Sequence, residues 1–421
     1  MRLKNNARFF CLIITVLCYS FTGVGQTKYG LNKALQTAKL NNPYLRTQQF
    51  NVDISMADTI TAHLRPNPIL NNQSLQLINS THYYPYASSA SPKSRQIWWQ
   101  LTKPFILPAH KQNKINYARQ SVVLEEKKFA EIERNLLMDV ASNWLDIWTS
   151  RKQIDVLISA KSNLDTMVAT NRLRLKNQVI TETELMRTEL LSSQYAVRIS
   201  SAEQAYKNQL ANLKVLMGVT EDFTIDTSEV LNYAFTSNLD SLIQIALNQR
   251  SDLQSIQSSI QVAEAGIKLQ KTQALPTPEL GMIVNPQNTI PYVGFFGTIV
   301  LPIFSRNQGE IQKATVVKLQ AQQELETSKV RAQTEIVNTY NMYKAQEANI
   351  VNYKKYLLQS ETILTNVRYA YVTGGTTIID YLEAQRSWID TQQNYYETLQ
   401  LYKQSYIQLL YSTGIINKIA Q

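Results

Sequence analysis

Proline is missing from residues 109–275 and again from 303–421 of this 421-residue chain. It is the residue that most effectively breaks helices, so nothing interrupts a long helix in either stretch. Glycine is scarce as well, at 12. The two cysteines, Cys11 and Cys18, both lie close to the start. A chain trimmed behind them has neither a disulfide nor a thiolate metal site. The three histidines, His63, His82 and His110, do not stand at metal-ligand spacing, and there is no nucleophile motif or phosphate loop. An enzyme, a resident cofactor and a fixed metal centre are excluded on that inventory. After the first residues no apolar run reaches the length of a membrane-spanning helix. That leaves a β-barrel open, because its strands alternate and carry a weak signal. The net charge of +10 is spread along helical stretches without a basic block interleaved with aromatics, so nucleic acid is not a partner.

The start of the chain has the form of a removable leader. Arg2, Lys4 and Arg8 precede the apolar run Phe9–Leu17, and Gly23-Val24-Gly25 offers small residues for cleavage before Gln26. Leu17 stands before Cys18, where lipidation requires a small residue, and this argues against a lipid anchor. Export from the cytoplasm is the expectation.

The proline-free stretches carry heptad spacing. Val140, Trp144, Ile147, Ile154 and Ile158 form one seam, and Tyr195, Ile199, Ala202 and Tyr206 another. Ile336, Tyr340, Tyr343, Ile350, Leu357, Leu364 and Tyr371 form a third. Seams of this kind join long helices side by side. The chain also repeats itself. With an offset of 196, Val140 meets Ile336, Trp144 meets Tyr340, Arg172 meets Arg368, and Gly218 meets Gly414. Upstream, Leu31–Ala38 aligns with Leu239–Ala246, Asn42-Pro43 with Arg250-Ser251, and Pro66-Asn67-Pro68 with Pro276-Thr277-Pro278. The expected divisions are a signal peptide 1–25, a first repeat 26–218, an inter-repeat segment 219–238, a second repeat 239–414 and a tail 415–421.

Between the proline motifs of each half the period becomes two. Ile97, Trp99 and Leu101 alternate with Gln96, Gln100 and Thr102, with Trp98 out of pattern. Val293, Phe295, Ile299 and Leu301 share one parity. These segments, with partners Asn67–Leu77 and Glu279–Pro286, predict two β-hairpins of membrane-crossing length. The first has a long loop at about 79–95. The second turns near Asn288.

The duplicated order of helix, Pro-x-Pro, hairpin, second proline motif (Lys103-Pro104-Phe105 and Leu301-Pro302-Ile303-Phe304) and long helical pair resembles the TolC family of outer-membrane efflux proteins. The resemblance runs from near Leu31 to Gly414, and the compact length is similar to the CzcC-like heavy-metal branch. It implies a mostly α fold with a β part. It also implies a homotrimer with a coiled-coil α-helical barrel and a shared twelve-stranded β-barrel, four strands from each chain. The family's work is passive conduction from the periplasm to the exterior, with a periplasmic adaptor protein and an inner-membrane pump, of the RND type on this resemblance, as partners. The chain itself would sit in the outer-membrane lipid of a Gram-negative cell and reach into the periplasm. Two other expectations stay open: an outer-membrane duct for type I protein secretion, and a soluble periplasmic coiled-coil adaptor or scaffold.

The repeat and the resemblance together place candidate residues. Arg172, Gln178, Val179, Arg368, Gly374 and Gly375 fall at the two helical turns, where the family docks its adaptor; the glycines also serve a turn by default. Glu182, Glu184 and Asp380 are candidates for a pore-entrance ring of acids, which would favour cations. The alternative is that they sit at helix N-termini beside the dipole. Trp98, Trp99, Tyr83, Tyr84 and Tyr86 are candidates for the aromatic girdle at the membrane surface. Trp144 and Trp148 read as packing residues.

Overall fold

The computed structural model describes residues 27–76, 78, 95–228, 238–286, 291–418 and 420. The leader, Tyr83, Tyr84, Tyr86 and His82 lie outside them.

Each half begins with a short helix pair. Helix α1 (Leu31–Asn41) and α2 (Pro43–His63) meet at Asn42, whose side chain caps α2 by accepting from the Leu45 amide at 2.8 Å. Pro43 follows at the first helical position, where its missing N–H costs nothing. A short strand β1 (Thr27–Tyr29) lies ahead of α1. Beyond α2 come strands β2 (Ile69–Gln76) and β3 (Arg95–Pro104). Pro108 then starts α3 (Pro108–Lys176), a helix of 69 residues, which is roughly 100 Å at ~1.5 Å per residue. It turns into α4 (Glu182–Met217), and β4 (Phe223–Ile225) returns to pair in parallel with β1.

The second half has the same helices and hairpin in the same order: α5 (Leu239–Gln249), α6 (Ser251–Gln273), β5 (Pro278–Asn285), β6 (Tyr292–Ile299), α7 (Gln308–Thr373) and α8 (Ile378–Ser412). A short 3₁₀ turn, Ile416–Lys418, follows.

The halves share local chemistry as well as order. Asn42 donates through Nδ2 to the Leu216 carbonyl at 2.7 Å, and Arg250 donates through its guanidinium to the Ser412 carbonyl at 2.9 Å. Each bond satisfies a carbonyl at the end of a long hairpin, where the helix offers no partner. Gly218 and Gly414, just beyond, have φ of 64° and 75°. A Cβ on Gly218 would stand 2.3 Å from the Asn41 carbonyl oxygen, so the close approach requires glycine.

Arg250 anchors a buried ionic cluster. It bonds Asp252 through Nε and Nη2 and Glu335 at 2.7 Å. Arg134, equally buried, binds Glu131 with two bonds, donates to the Tyr411 carbonyl at 2.8 Å and lies over the Tyr411 ring. Burial works against the Asp252 carboxylate, but the bonds and charge of Arg250, with Arg134 behind, outweigh it and hold its pKa below the ordinary value.

The main core gathers around α1 and the middle of α3. Leu31, Ala34, Leu35 and Ala38 pack on Leu137, Val140, Trp144 and Leu145. The Trp144 indole donates to the Tyr29 carbonyl at 2.9 Å. The heptad seams run through this core and beyond it: Ile336, Tyr343, Ile350, Leu364 and Tyr371 are buried along α7. One seam position is corrected. Ile158 is 42% exposed, and Leu157 is buried in its place. Moving three residues from Ile154 rather than four keeps the stripe on the partner as the helices wind together.

Strands β2, β3, β5 and β6 form one antiparallel sheet in the order β2-β3-β5-β6, so the outer edges of β2 and β6 have no partner among the described residues. Leu70 faces Leu101, Leu101 faces Met282, and Met282 faces Phe295. Side chains alternate across a sheet, so these residues share one face with Trp99, Leu280, Val293 and Ile299. That apolar face is exposed, Phe295 to 85%.

Candidate functional site: the hairpin tips and the four-stranded sheet

At the first tip, the amides of Gln178 and Val179 donate to the carbonyls of Leu175 (2.9 Å) and Arg174 (2.8 Å). At the second, the amides of Gly374 and Gly375 donate to Tyr371 (3.2 Å) and Ala370 (2.7 Å). This is the same left-handed helix stop in both repeats. Gly374 has φ of 86° and Gln178 has φ of 57°, so a glutamine holds a conformation that glycine takes without strain. Val179 stands out at the tip, 61% exposed. Arg172 pairs with Glu189 at 2.8 Å, and Arg368 is exposed on the second hairpin. The six candidates Arg172, Gln178, Val179, Arg368, Gly374 and Gly375 therefore lie at or within two turns of the tips.

The helices leaving the tips start with paired capping boxes. Thr181 accepts from the Glu184 amide while Glu184 accepts from the Thr181 amide at 2.7 Å. Thr377 and Asp380 repeat the arrangement. Hydroxyl bonds from Thr377 and Thr376 hold the Asp380 carboxyl below its ordinary range. Glu184 and Asp380 thus cap helices beside the tips, as the alternative reading of the sequence allowed. Glu182, at the first helical position, is exposed.

Sequence reasoning missed the bonds that tie the two tips together. Tyr371 donates through its hydroxyl to Asn171 Oδ1 at 3.0 Å, and Asn171 donates to Thr188 Oγ1 at 3.0 Å. Arg174 bonds the Tyr371 carbonyl at 3.2 Å and lies 4.7 Å above its ring. Tyr371 also stacks on Tyr381, 5.7 Å between centroids. Burial pushes the Tyr371 hydroxyl up, so it stays protonated and can donate. The buried polar Asn171 in an apolar seam was the one available signal.

Trp98 and Trp99, neighbours in one strand, point to opposite faces. Trp99 lies on the exposed apolar face. Trp98 lies on the other, half-buried, with its ring edge against Tyr292 at 5.7 Å. Of the two girdle candidates on this strand, Trp99 therefore shares a face with the exposed apolar residues and Trp98 does not. Among the described residues, no helix is long and apolar enough to cross a membrane, and no group of three His, Cys, Asp or Glu could hold a metal ion.

A duplicated pair of long helical hairpins, carrying a four-stranded sheet with one apolar face, is the fold of outer-membrane channel proteins of the TolC-like kind. Residues 242–414 match the family described as outer membrane efflux protein, so the second repeat carries that family's sequence pattern. Among solved structures, CusC is similar at 18% identity and TM-score 0.75, over 92% of this chain and 93% of that one. The CmeC outer membrane channel of Campylobacter jejuni is similar at 15% identity and TM-score 0.71, over 91% and 85%. The open-state MtrE outer membrane channel of Neisseria gonorrhoeae is similar at 15% and 0.71, over 91% and 89%. No curated protein matches the chain in sequence.

Proposed function

We propose that this chain is the outer-membrane channel of a tripartite efflux pump, conducting cargo passively from the periplasm to the exterior. The observation that carries the proposal is the sheet of four strands, apolar and exposed on one face, with no partner among the described residues on the outer edges of β2 and β6. In lipid every backbone group needs a partner, so such a sheet is stable only when closed into a barrel. Three copies, β6 of one beside β2 of the next, give twelve strands and no edge. The same contact covers the exposed apolar residues of α2 (Phe50, Ile54, Ile60) and α7 (Val316, Leu319, Val330). The long hairpins then line a periplasmic tunnel whose mouth lies at the tips, where an adaptor protein docks on Val179 and Gly375 and an inner-membrane pump, of the RND type, supplies the energy.

Cargo is the open part of the assignment. A CzcC-like role would carry heavy-metal cations through rings at Glu182, Glu184 and Asp380; other cargo would be small toxic compounds. Unchanged cation conductance in Asp380→Asn removes that residue from any ring. The channel assignment itself is tested by fractionation and by planar-bilayer recording of the purified protein. A heat-resistant trimer in the outer membrane that passes ions is expected. A water-soluble monomer without β-signal in detergent refutes it, and favours the scaffold reading.

A further inference from the structure

We infer that the inner wall of the barrel carries a stacking site for flat aromatic solutes, built on Trp98 and Tyr292. The inference rests on the pore assignment above, and it deepens that assignment by naming a cargo class.

With Leu70, Trp99, Leu101, Met282 and Phe295 turned to lipid, the opposite parity faces the pore. There the register brings Trp98 and Tyr292 together around Asn285, which pairs directly with Tyr292 and is fully buried beneath the rings. Two steps down the wall, past Ile283 and Gly294, Phe296 covers Gly281: a Cβ on that glycine would meet the ring at 2.4 Å. Phe296 thus covers a small neighbour, while Trp98 and Tyr292 meet edge to face at 76°, so one ring of that pair stands out from the other and offers its face. Trp98 and Tyr292 stay partly open, so ring surface is available to a passing molecule.

Charge points the same way. Glu279 is the sole Asp, Glu, Lys, Arg or His of pore-facing parity among the described residues of the four strands, at the end of β5 nearest the helices. Around the rings stand amides, Gln73, Gln100 and Asn285. Beyond Glu279 the wall has no fixed charge to concentrate metal ions at the rings, whereas open ring surface stacks on any flat π-system and attracts a single positive charge on it. Three copies around the barrel make a weak, repeated site, which permits capture without trapping.

Single-channel current through the full-length protein in a planar bilayer tests this, with proflavine, a flat aromatic monocation, added to the exterior side. Spermidine, cationic but not aromatic, is the comparison at equal concentration. Proflavine should interrupt the current and spermidine should not. Trp98→Leu and Tyr292→Leu should each shorten the interruptions about tenfold, while Val293→Ala, on the lipid face beside Tyr292, should leave them as they were. Using two variants guards against one that fails to assemble. Interruptions of equal length in Trp98→Leu and Tyr292→Leu, or equal block by spermidine, overturn the stacking site. Absence of any current in the unaltered protein overturns the pore assignment, and this inference with it.

Discussion

Replacing Tyr371 with phenylalanine removes one oxygen at the place where the two hairpins hold each other. The hydroxyl donates to Asn171 across 200 residues of sequence. Asn171 is fully buried and keeps its bond to Thr188, so the loss leaves Asn171 Oδ1 short of its donor in a dry site. Such a deficit costs about 1–3 kcal/mol. The stack on Tyr381 and the Arg174 guanidinium over the ring both survive in phenylalanine. The whole cost therefore falls on contact between the hairpins. If separating the tips opens the mouth, that cost shifts the balance toward the open state roughly 5–150-fold. The assay is the fraction of time that one reconstituted channel conducts, compared at fixed voltage with the unaltered protein. A parallel thermal melt reports the fold. A variant that melts earlier but conducts for an unchanged fraction of time refutes the reasoning, because the bond would then hold the structure and not the mouth.

Arg250→Ala should cost about 3–5 kcal/mol, since it strands Asp252, Glu335 and the Ser412 carbonyl around an emptied site; thermal unfolding measures it. The same cluster sets an acid limit. The folded pKa of Asp252 lies below its ordinary 3.8, so its contribution is complete above that value and is lost as pH falls through the depressed one; unfolding followed below pH 5 should steepen there. Gln178→Gly relieves the left-handed strain at the first tip and should raise stability by up to about 1 kcal/mol, read in a denaturant titration, with no gain if adaptor contact is what Gln178 serves. Gly281→Ala drives a methyl into the Phe296 ring, and should cost about 1–3 kcal/mol and reduce unitary conductance as the ring swings into the pore.

The architecture was legible because its signals are local and come twice. Proline-free heptads mark the four long helices, and strand parity separates Trp99 and Leu101 from Gln100 and Thr102. The offset that aligns Gly374 with Gln178 marks both tips, although glutamine carries no turn signal of its own. Glu184 and Asp380 read as helix N-terminal acids, and the structure adds Thr181 and Thr377 as the residues with which they form caps. The hidden parts are those that depend on distant partners. Nothing near Tyr371 announces Asn171, and nothing in Arg250-Ser251-Asp252 foretells Glu335 or the end of α8. Ile158 gave way to Leu157 because supercoiling accumulates along a helix, which a fixed count from one residue to the next does not follow. The pairing of Trp98 with Tyr292 needed the register of three strands.

The unpaired margins of the sheet have a genetic consequence. In the assembly proposed above, a polypeptide that completes its barrel only by borrowing from sisters has no finished solitary form, so its yield depends on how many are made at once. A cell producing intact and damaged versions side by side would seat a damaged one in most rings. Lesions at either margin should therefore be dominant, spoiling the function of healthy copies, while lesions that prevent the chain from reaching the ring should be recessive.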